Sequence, residues 1–257
     1  MPVQFIVGFL DEPGILRRDL SLNNIMCRIV KELGAEDKVY GVLTDYDLSS
    51  WAASLTAGYT KTSQQRTGTP PYMAHELLTG TSDIHLYRHD VESLFYIMLL
   101  LCARHRFDPS RDTKWQLVMR EGKLPYGDWF NEPNYAKLGM FKAFFFSHNR
   151  TVDLSPDFED FRPWLQDLLL SFSEGFKRKL VNEEQALPEW RKKQAGRSMG
   201  QPKPTPVPFD EETLGGYVNY SAIIEPTREL EGDLKGLTIR YDLPSSPLPT
   251  GAAQVDT

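Results

Sequence analysis

Residues 94–103, LFYIMLLLCA, form an unbroken apolar run with no polar face to turn toward water. Together with the preceding HLYRHDVES they make residues 85–105 a helix whose second half is apolar on every side, and such a helix belongs in the middle of a domain. The run is about half of the roughly 20 residues a membrane helix needs, so the rest of the chain has to bury it. A chain of 257 residues that is 40% apolar and 12% aromatic can do so. Asp90 sits where this helix begins. It serves there either as an N-cap or first-turn acid, or as an anchor that orients a buried loop.

The formal charge of −6 gives no broad positive field, which argues against a nucleic-acid partner. Cys27 and Cys102 are far apart and in apolar surroundings, so they read as buried free thiols rather than a disulfide framework or a thiolate metal site. The opening MPVQFIVGFLDEPG has no basic start and no small-residue cleavage pattern, so it does not read as a secretory signal. The expectation is an intracellular, cytoplasmic protein without a membrane segment, the nucleus left open. The sequons at Asn149 and Asn219 then carry no weight.

Residues 3–10 read as an apolar helix ended by Glu12-Pro13-Gly14. ILRRDLSLNNIM, residues 15–26, follows and places Asp19 and Asn24 five residues apart. An ionised Asp can accept a proton from a hydroxyl, and an Asn amide oxygen can help hold a hard cation, although the same pair also occurs in ordinary turns. Residues 24–30 and 39–44 read as two strands of a hairpin around Gly34, delivering Asp45-Tyr46-Asp47 back toward Asp19. Residues 48–67 have no sustained period and read as a long loop. It closes on RTGTPPYMAHELL, with a short helix expected over 74–78.

Residues 112–147 mix short helical patterns with breakers, and Phe141, Phe144, Phe145 and Phe146 read as core. Phe158, Phe161, Leu165, Leu168, Leu169, Phe172 and Phe176 mark an amphipathic helix, followed by a charged, solvated stretch over 183–197. Prolines at 202, 204, 206 and 208 form a linker to DEETLGGYVNYSAII, a small element expected to dock on the domain, and the tail 226–257 reads as disordered. There is no repeat, no Gly-rich phosphate loop and no His-x-x-x-His or Cys-x-x-Cys spacing. His75, His85, His89, His105 and His148 read as structural.

RRDLSLNN, the acid at 45, the long loop, GTPPYMAHELL and the helix opening at Asp90 stand in the order found in protein kinases. YRHDVESLFYIMLLL, GVLTDYDLSS and DEETLGGYV narrow the likeness: over residues 1–225 the chain resembles the fungal-type protein kinase family, which uses Asp-Phe-Asp in place of Asp-Phe-Gly. The resemblance implies a mainly α fold with a small β-hairpin, the large C-terminal lobe of the kinase-like fold with the small lobe absent. It divides this lobe into a catalytic loop at 15–26, an activation segment at 45–76 and a central buried helix at about 88–105.

The resemblance makes Asp19 the catalytic base and Arg18 the anchor of the activation loop. Asn24 and Asp45 would hold the Mg2+ ions that bridge ATP phosphates. Ser21 stands where serine/threonine kinases usually carry a phosphate-contacting Lys, and counts with Asn24 and Asp45 among the nucleotide-facing residues. Thr60, Thr62, Ser63 or Thr67 could take a phosphate pairing with Arg18. Thr69 would hold the peptide-accepting surface, Glu76 would form a buried ion pair with an arginine not identifiable from sequence, and Asp90 would bond the catalytic-loop backbone.

Departures accompany the matches. Arg17 replaces the usual His, and an unpaired charge buried there would be costly. Tyr46, His75 and Asp47 replace the usual Phe, Pro and Gly. Without a small lobe, a truncated lobe would bind nucleotide weakly. The leading reading is ATP-dependent transfer to Ser/Thr hydroxyls of a protein substrate. The alternatives are a pseudokinase remnant acting as an interaction module, and a small-molecule phosphotransferase, against which the GTPPYMAHELL segment argues. The oligomeric state is left open.

Overall fold

A computed structural model of the chain describes residues 15–30, 38–51, 68–107, 117–148, 151–194, 209–219 and 221–223. The helix expected over 3–10, the turn at 31–37, the loop at 52–67 with Thr60, Thr62, Ser63 and Thr67, the prolines at 202–208 and the tail from 226 lie outside the described residues.

In chain order the strands are β1 Ile15–Leu16, β2 Ile25–Val30, β3 Lys38–Leu43, β4 Ser50–Trp51, β5 His105–Phe107 and β6 Leu117–Met119. The helices are α1 His75–Thr79, α2 Tyr87–Arg104, α3 Asp128–Asn131, α4 Tyr135–His148 and α5 Arg162–Gln194, with 3-10 turns at Leu22–Asn24 and Pro156–Phe161. The fold is mainly helical with small two-stranded sheets. The expected hairpin is present as β2 and β3, antiparallel with Ile25 opposite Leu43 and Val30 opposite Lys38. Two further antiparallel pairs, β1 with β4 and β5 with β6, were not foreseen. Their ladders of two and three residues are too short for alternation to show in sequence.

The helix α2 is the centre of the domain, as its composition requires: every residue from 88 to 103 is buried. Its first turn is closed by the Leu86 amide donating to His89 Nδ1 at 3.1 Å. At its last turn the Arg120 guanidinium donates to the Ala103 carbonyl at 2.8 Å, satisfying an oxygen that the helix itself leaves unpaired. Phe95 of α2, Phe146 of α4 and Phe172 of α5 meet with ring centroids 5.1–6.0 Å apart. Such pairs contribute about 0.5–1.5 kcal/mol each beyond their buried area, and here they tie three helices together.

The helix α4 lies directly on α1 because Gly139 has no side chain. A Cβ there would stand 2.9 Å from the His75 carbonyl oxygen and 2.7 Å from Thr79 Cγ2. Only two of the four clustered phenylalanines of α4 are core: Phe145 and Phe146 are buried, while Phe141 and Phe144 are exposed. Successive helical residues turn by about 100°, so four near-adjacent rings cannot all face one core. The later amphipathic helix begins at Arg162. Phe158 belongs to the preceding 3-10 turn, where its φ of −123° and ψ of 18° break the helical path.

The DEETLGGYV stretch docks on α2. Arg88 Nε donates to the Glu211 carbonyl at 2.6 Å, the Tyr87 amide to Glu212 Oε2 at 2.7 Å, and Trp164 Nε1 of α5 to the Ile223 carbonyl at 2.9 Å. No described helix is long and apolar enough to cross a membrane.

Candidate active site

Asp90, 1% exposed, turns its carboxylate away from its own helix and toward the loop after β1. Its Oδ2 accepts the Arg17 amide at 2.7 Å, and its Oδ1 accepts the Arg18 amide at 3.1 Å. Both roles open to Asp90 from sequence are present: it is the acid of the first turn of α2, and it bonds the backbone of a buried loop. A third donor, His85 Nε2, lies 2.7 Å from Oδ1. Arg18 takes φ 66°, a left-handed conformation costing a non-glycine residue roughly 1–2 kcal/mol. The buried carboxylate holds the two successive amides that lead into that bend and stabilises it.

Asp19 follows at once. Its Oδ1 accepts both the amide of Thr69 at 3.0 Å and the hydroxyl of Thr69 at 3.2 Å. Residues 50 apart in sequence are thus fixed to each other, through a turn in which the Tyr72 and Met73 amides return to the Thr69 carbonyl at 2.9 and 3.1 Å. Gly68 reaches this turn at φ 134°, which a side chain rarely adopts, and a Cβ would stand 2.9 Å from Met73 Cε.

Asn24 donates Nδ2 to the Asp19 carbonyl at 3.0 Å, which turns its amide oxygen to the opposite side. The Asn24 carbonyl accepts the Thr44 amide at 2.9 Å, so the chain leaving β3, one residue before Asp45, lies beside Asn24. Asp45 is exposed, at φ 60°. The two side chains are oxygen donors suited to a hard cation. Among the described residues no three His, Cys, Asp or Glu side chains converge as a metal group, and such an ion would complete its shell from phosphate and water. Ser21 is 2% exposed, and its carbonyl accepts the Asn24 amide at 3.1 Å, beginning the 3-10 turn. Arg18 Nε is buried without a hydrogen-bond partner among the described residues.

The arginine that partners Glu76 is Arg88, two residues before Asp90 on α2, itself 1% exposed. Lys179 of α5 adds a second cation at 2.8 Å, and it and Arg88 also bridge to Glu211 at 2.9 and 3.2 Å. Burial pushes the Glu76 pKa up, but the His89 hydrogen bond and the Arg88 and Lys179 cations outweigh burial and hold it well below the usual carboxylate range. His89 is lowered to about 4, first by burial. Its contacts require the neutral ring: Nδ1 accepts the Leu86 amide and Nε2 lies 3.4 Å from Glu76 Oε2, toward which it donates. The histidines read as structural are so employed, and His85 also supports Asp90. Buried Arg88 and His85 had one available signal, a run of charged residues leading directly into an apolar helix.

Arg17, 6% exposed, lays its guanidinium over the Tyr46 ring at 3.9 Å from the centroid. Comparison with known proteins matches residues 8–102, which hold this loop, the hairpin, the Thr69 turn and most of α2, to the model of the family described as Fungal protein kinase. No curated protein and no solved structure matches the chain.

Proposed function

We propose, from the match of residues 8–102 to the fungal protein kinase family, that this chain is the acceptor-binding side of an enzyme moving the γ-phosphoryl group of ATP to serine or threonine hydroxyls of proteins. The observation that carries the reading is the Asp19 carboxylate, held at one oxygen by Thr69 and seated on a loop tied to Asp90. Its Oδ2 serves as general base. The acceptor hydroxyl oxygen forms a bond to the γ-phosphorus, the bond from that phosphorus to the β–γ bridging oxygen breaks, ADP leaves, and the hydroxyl proton passes to Asp19. Asn24 and Asp45 would hold magnesium, which neutralises phosphate charge when bound. Arg18 would anchor the activation segment, as the family likeness implies. Ser21 is buried, so its hydroxyl is the least suited of the proposed nucleotide-facing groups.

A protein docking module without transfer is the second reading. The exposed apolar residues of α3 and α4 favour it, Phe130 at 42%, Phe144 at 60% and Met140 at 65%. Transfer from radiolabelled MgATP to a protein substrate separates the two. Asp19→Asn removes the base while keeping an oxygen that can accept from Thr69, so transfer should fall at least ~100-fold with the melting curve kept. Equal transfer in both proteins would remove Asp19 as the base.

A further inference from the structure

Lys142 of α4 is fully buried, and among the described residues its ammonium makes no ion pair with a carboxylate. Nζ donates instead to three main-chain carbonyls of the Thr69 turn: Pro70 at 3.1 Å, Pro71 at 2.9 Å and Met73 at 2.6 Å. The same nitrogen stands 4.1 Å from the centroid of the Tyr96 ring and 5.5 Å from that of Trp129, whose π faces attract a cation.

The hydroxyl of Tyr96 points the other way and donates to Glu92 Oε1 at 2.6 Å. Glu92, also fully buried, accepts the His75 amide at 2.8 Å and lies 3.0 Å from His75 Nδ1. A buried cation over the ring and a buried anion at the hydroxyl thus meet at one tyrosine, the first gripping residues 70–73 and the second residue 75. Burial depresses the Lys142 pKa well below its usual value, with Glu92 opposing. An ammonium costly to bury is offset here by three carbonyl dipoles and two rings, which is more than packing a helix requires.

We propose that Lys142 and Glu92, joined through Tyr96, are positioning residues that fix the segment 69–75 so that Thr69 stays on the Asp19 carboxylate. The proposal rests on reading that segment as the acceptor-facing surface. The elements named account for its geometry: α2 supplies Glu92 and Tyr96, α4 supplies Lys142, α1 supplies His75, and Gly139 lets α4 approach α1 closely enough for Nζ to reach the carbonyls.

The test is amide hydrogen exchange by NMR on the full chain, comparing the Thr69 amide with a distant reporter, the Trp164 indole bonded to Ile223. Lys142→Met keeps length and removes charge and donors. The Thr69 amide should then exchange about tenfold faster while the Trp164 indole is unchanged. Lys142→Arg, which keeps the charge and donors, should recover part of that protection. A folded Lys142→Met protein with Thr69 unchanged, or with both protons accelerated equally, overturns the proposal. Tyr96→Phe is read if Lys142→Met does not fold. It keeps the ring under Nζ and cuts the hydroxyl from Glu92, and should accelerate Thr69 about threefold with Trp164 held. No change there is equally fatal. A transfer assay with the chain joined to a kinase small lobe distinguishes the underlying reading: no transfer by that complete enzyme defeats the kinase assignment and leaves the exchange result standing. If transfer is present, Lys142→Met should raise KM for the protein acceptor and lower kcat with KM for MgATP unchanged.

Discussion

Replacing Glu76 by Gln isolates the buried ion cluster that joins α1, α2 and α5. The Glu76 side chain is 8% exposed and its partner Arg88 1%, so the pair belongs to the interior rather than to the solvated surface. Glutamine keeps the volume and one acceptor oxygen but leaves the Arg88 charge without its nearest anion. Glu211 bridges Arg88 at 3.2 Å, yet its own side chain is 45% exposed and gives less compensation. Removing one member of a buried pair costs about 3–5 kcal/mol, whereas an exposed pair is worth about 0–1 kcal/mol. Against a typical stability of about 5–15 kcal/mol, that loss takes about a fifth or more of the total.

Urea denaturation followed by far-ultraviolet circular dichroism measures the loss as a lowered midpoint at constant slope. Replacing both Glu76 and Arg88 by Met leaves Lys179 paired with Glu211 at 2.9 Å and no charge uncompensated. The double variant should therefore be more stable than Glu76→Gln. The pH dependence has a fixed sign. The folded-state pKa of Glu76 lies below its ordinary 4.5, so the unfolded chain binds the proton first. Stability from Glu76 is complete above 4.5 and falls as pH drops below it, with a slope of at most about 1.4 kcal/mol per pH unit. A loss under about 1 kcal/mol in Glu76→Gln would refute the reasoning, because it would show the pair to be solvated.

Asp90→Ala frees the Arg17 and Arg18 amides and removes support from the left-handed bend at Arg18, costing about 2–4 kcal/mol by urea titration and shifting Asp19 signals in NMR; retained stability would show that the loop holds itself. Gly139→Ala drives a Cβ against the His75 carbonyl, so α4 must retreat from α1 at a cost of about 1–3 kcal/mol, checked by thermal melting; a neutral result would show the contact to be slack. Asp45→Ala should abolish whatever magnesium-dependent ATP affinity calorimetry detects in the wild-type chain, at least about tenfold, and unchanged affinity would remove Asp45 as a ligand.

The parts of the fold legible from sequence are those encoded within short windows. The helix α2 follows from a run with no polar face, and the hairpin from two apolar stretches around a glycine. Asp19, Asn24 and Asp90 came from motif order; the Asn24 bond to the Asp19 carbonyl lies within that window, whereas Asp90 reaches the Arg17 and Arg18 amides across 73 and 72 positions. What stayed hidden joins distant residues. Lys142 meets Pro70 across 72 positions and Asp19 meets Thr69 across 50, and no window spans those separations. Arg88 was visible as a charged residue at the mouth of an apolar helix, but its choice of Glu76 depends on where α1 packs. Lys142 left a clearer trace: a lone lysine in FKAFFF at the same helical face as Leu138, Phe145 and Phe146, all buried. A cation at a core position needs a polar target, and only the fold identifies which carbonyls supply it.

Arg17 shows how two departures from a pattern can be one feature. Taken alone, a guanidinium in place of an imidazole at a buried position reads as a defect. Tyr46, taken alone, reads as a mild change from Phe. In the structure the guanidinium lies over the Tyr46 ring at 3.9 Å from its centroid, a contact worth about 0.5–2 kcal/mol depending on how far it is desolvated. Arg17→His would return the usual residue without the cation, whereas Tyr46→Leu would leave the cation without its ring. If the two positions form one unit, the second change destabilises the protein more than the first. Cost in the reverse order would show that Arg17 is held by its other neighbours and that Tyr46 is incidental.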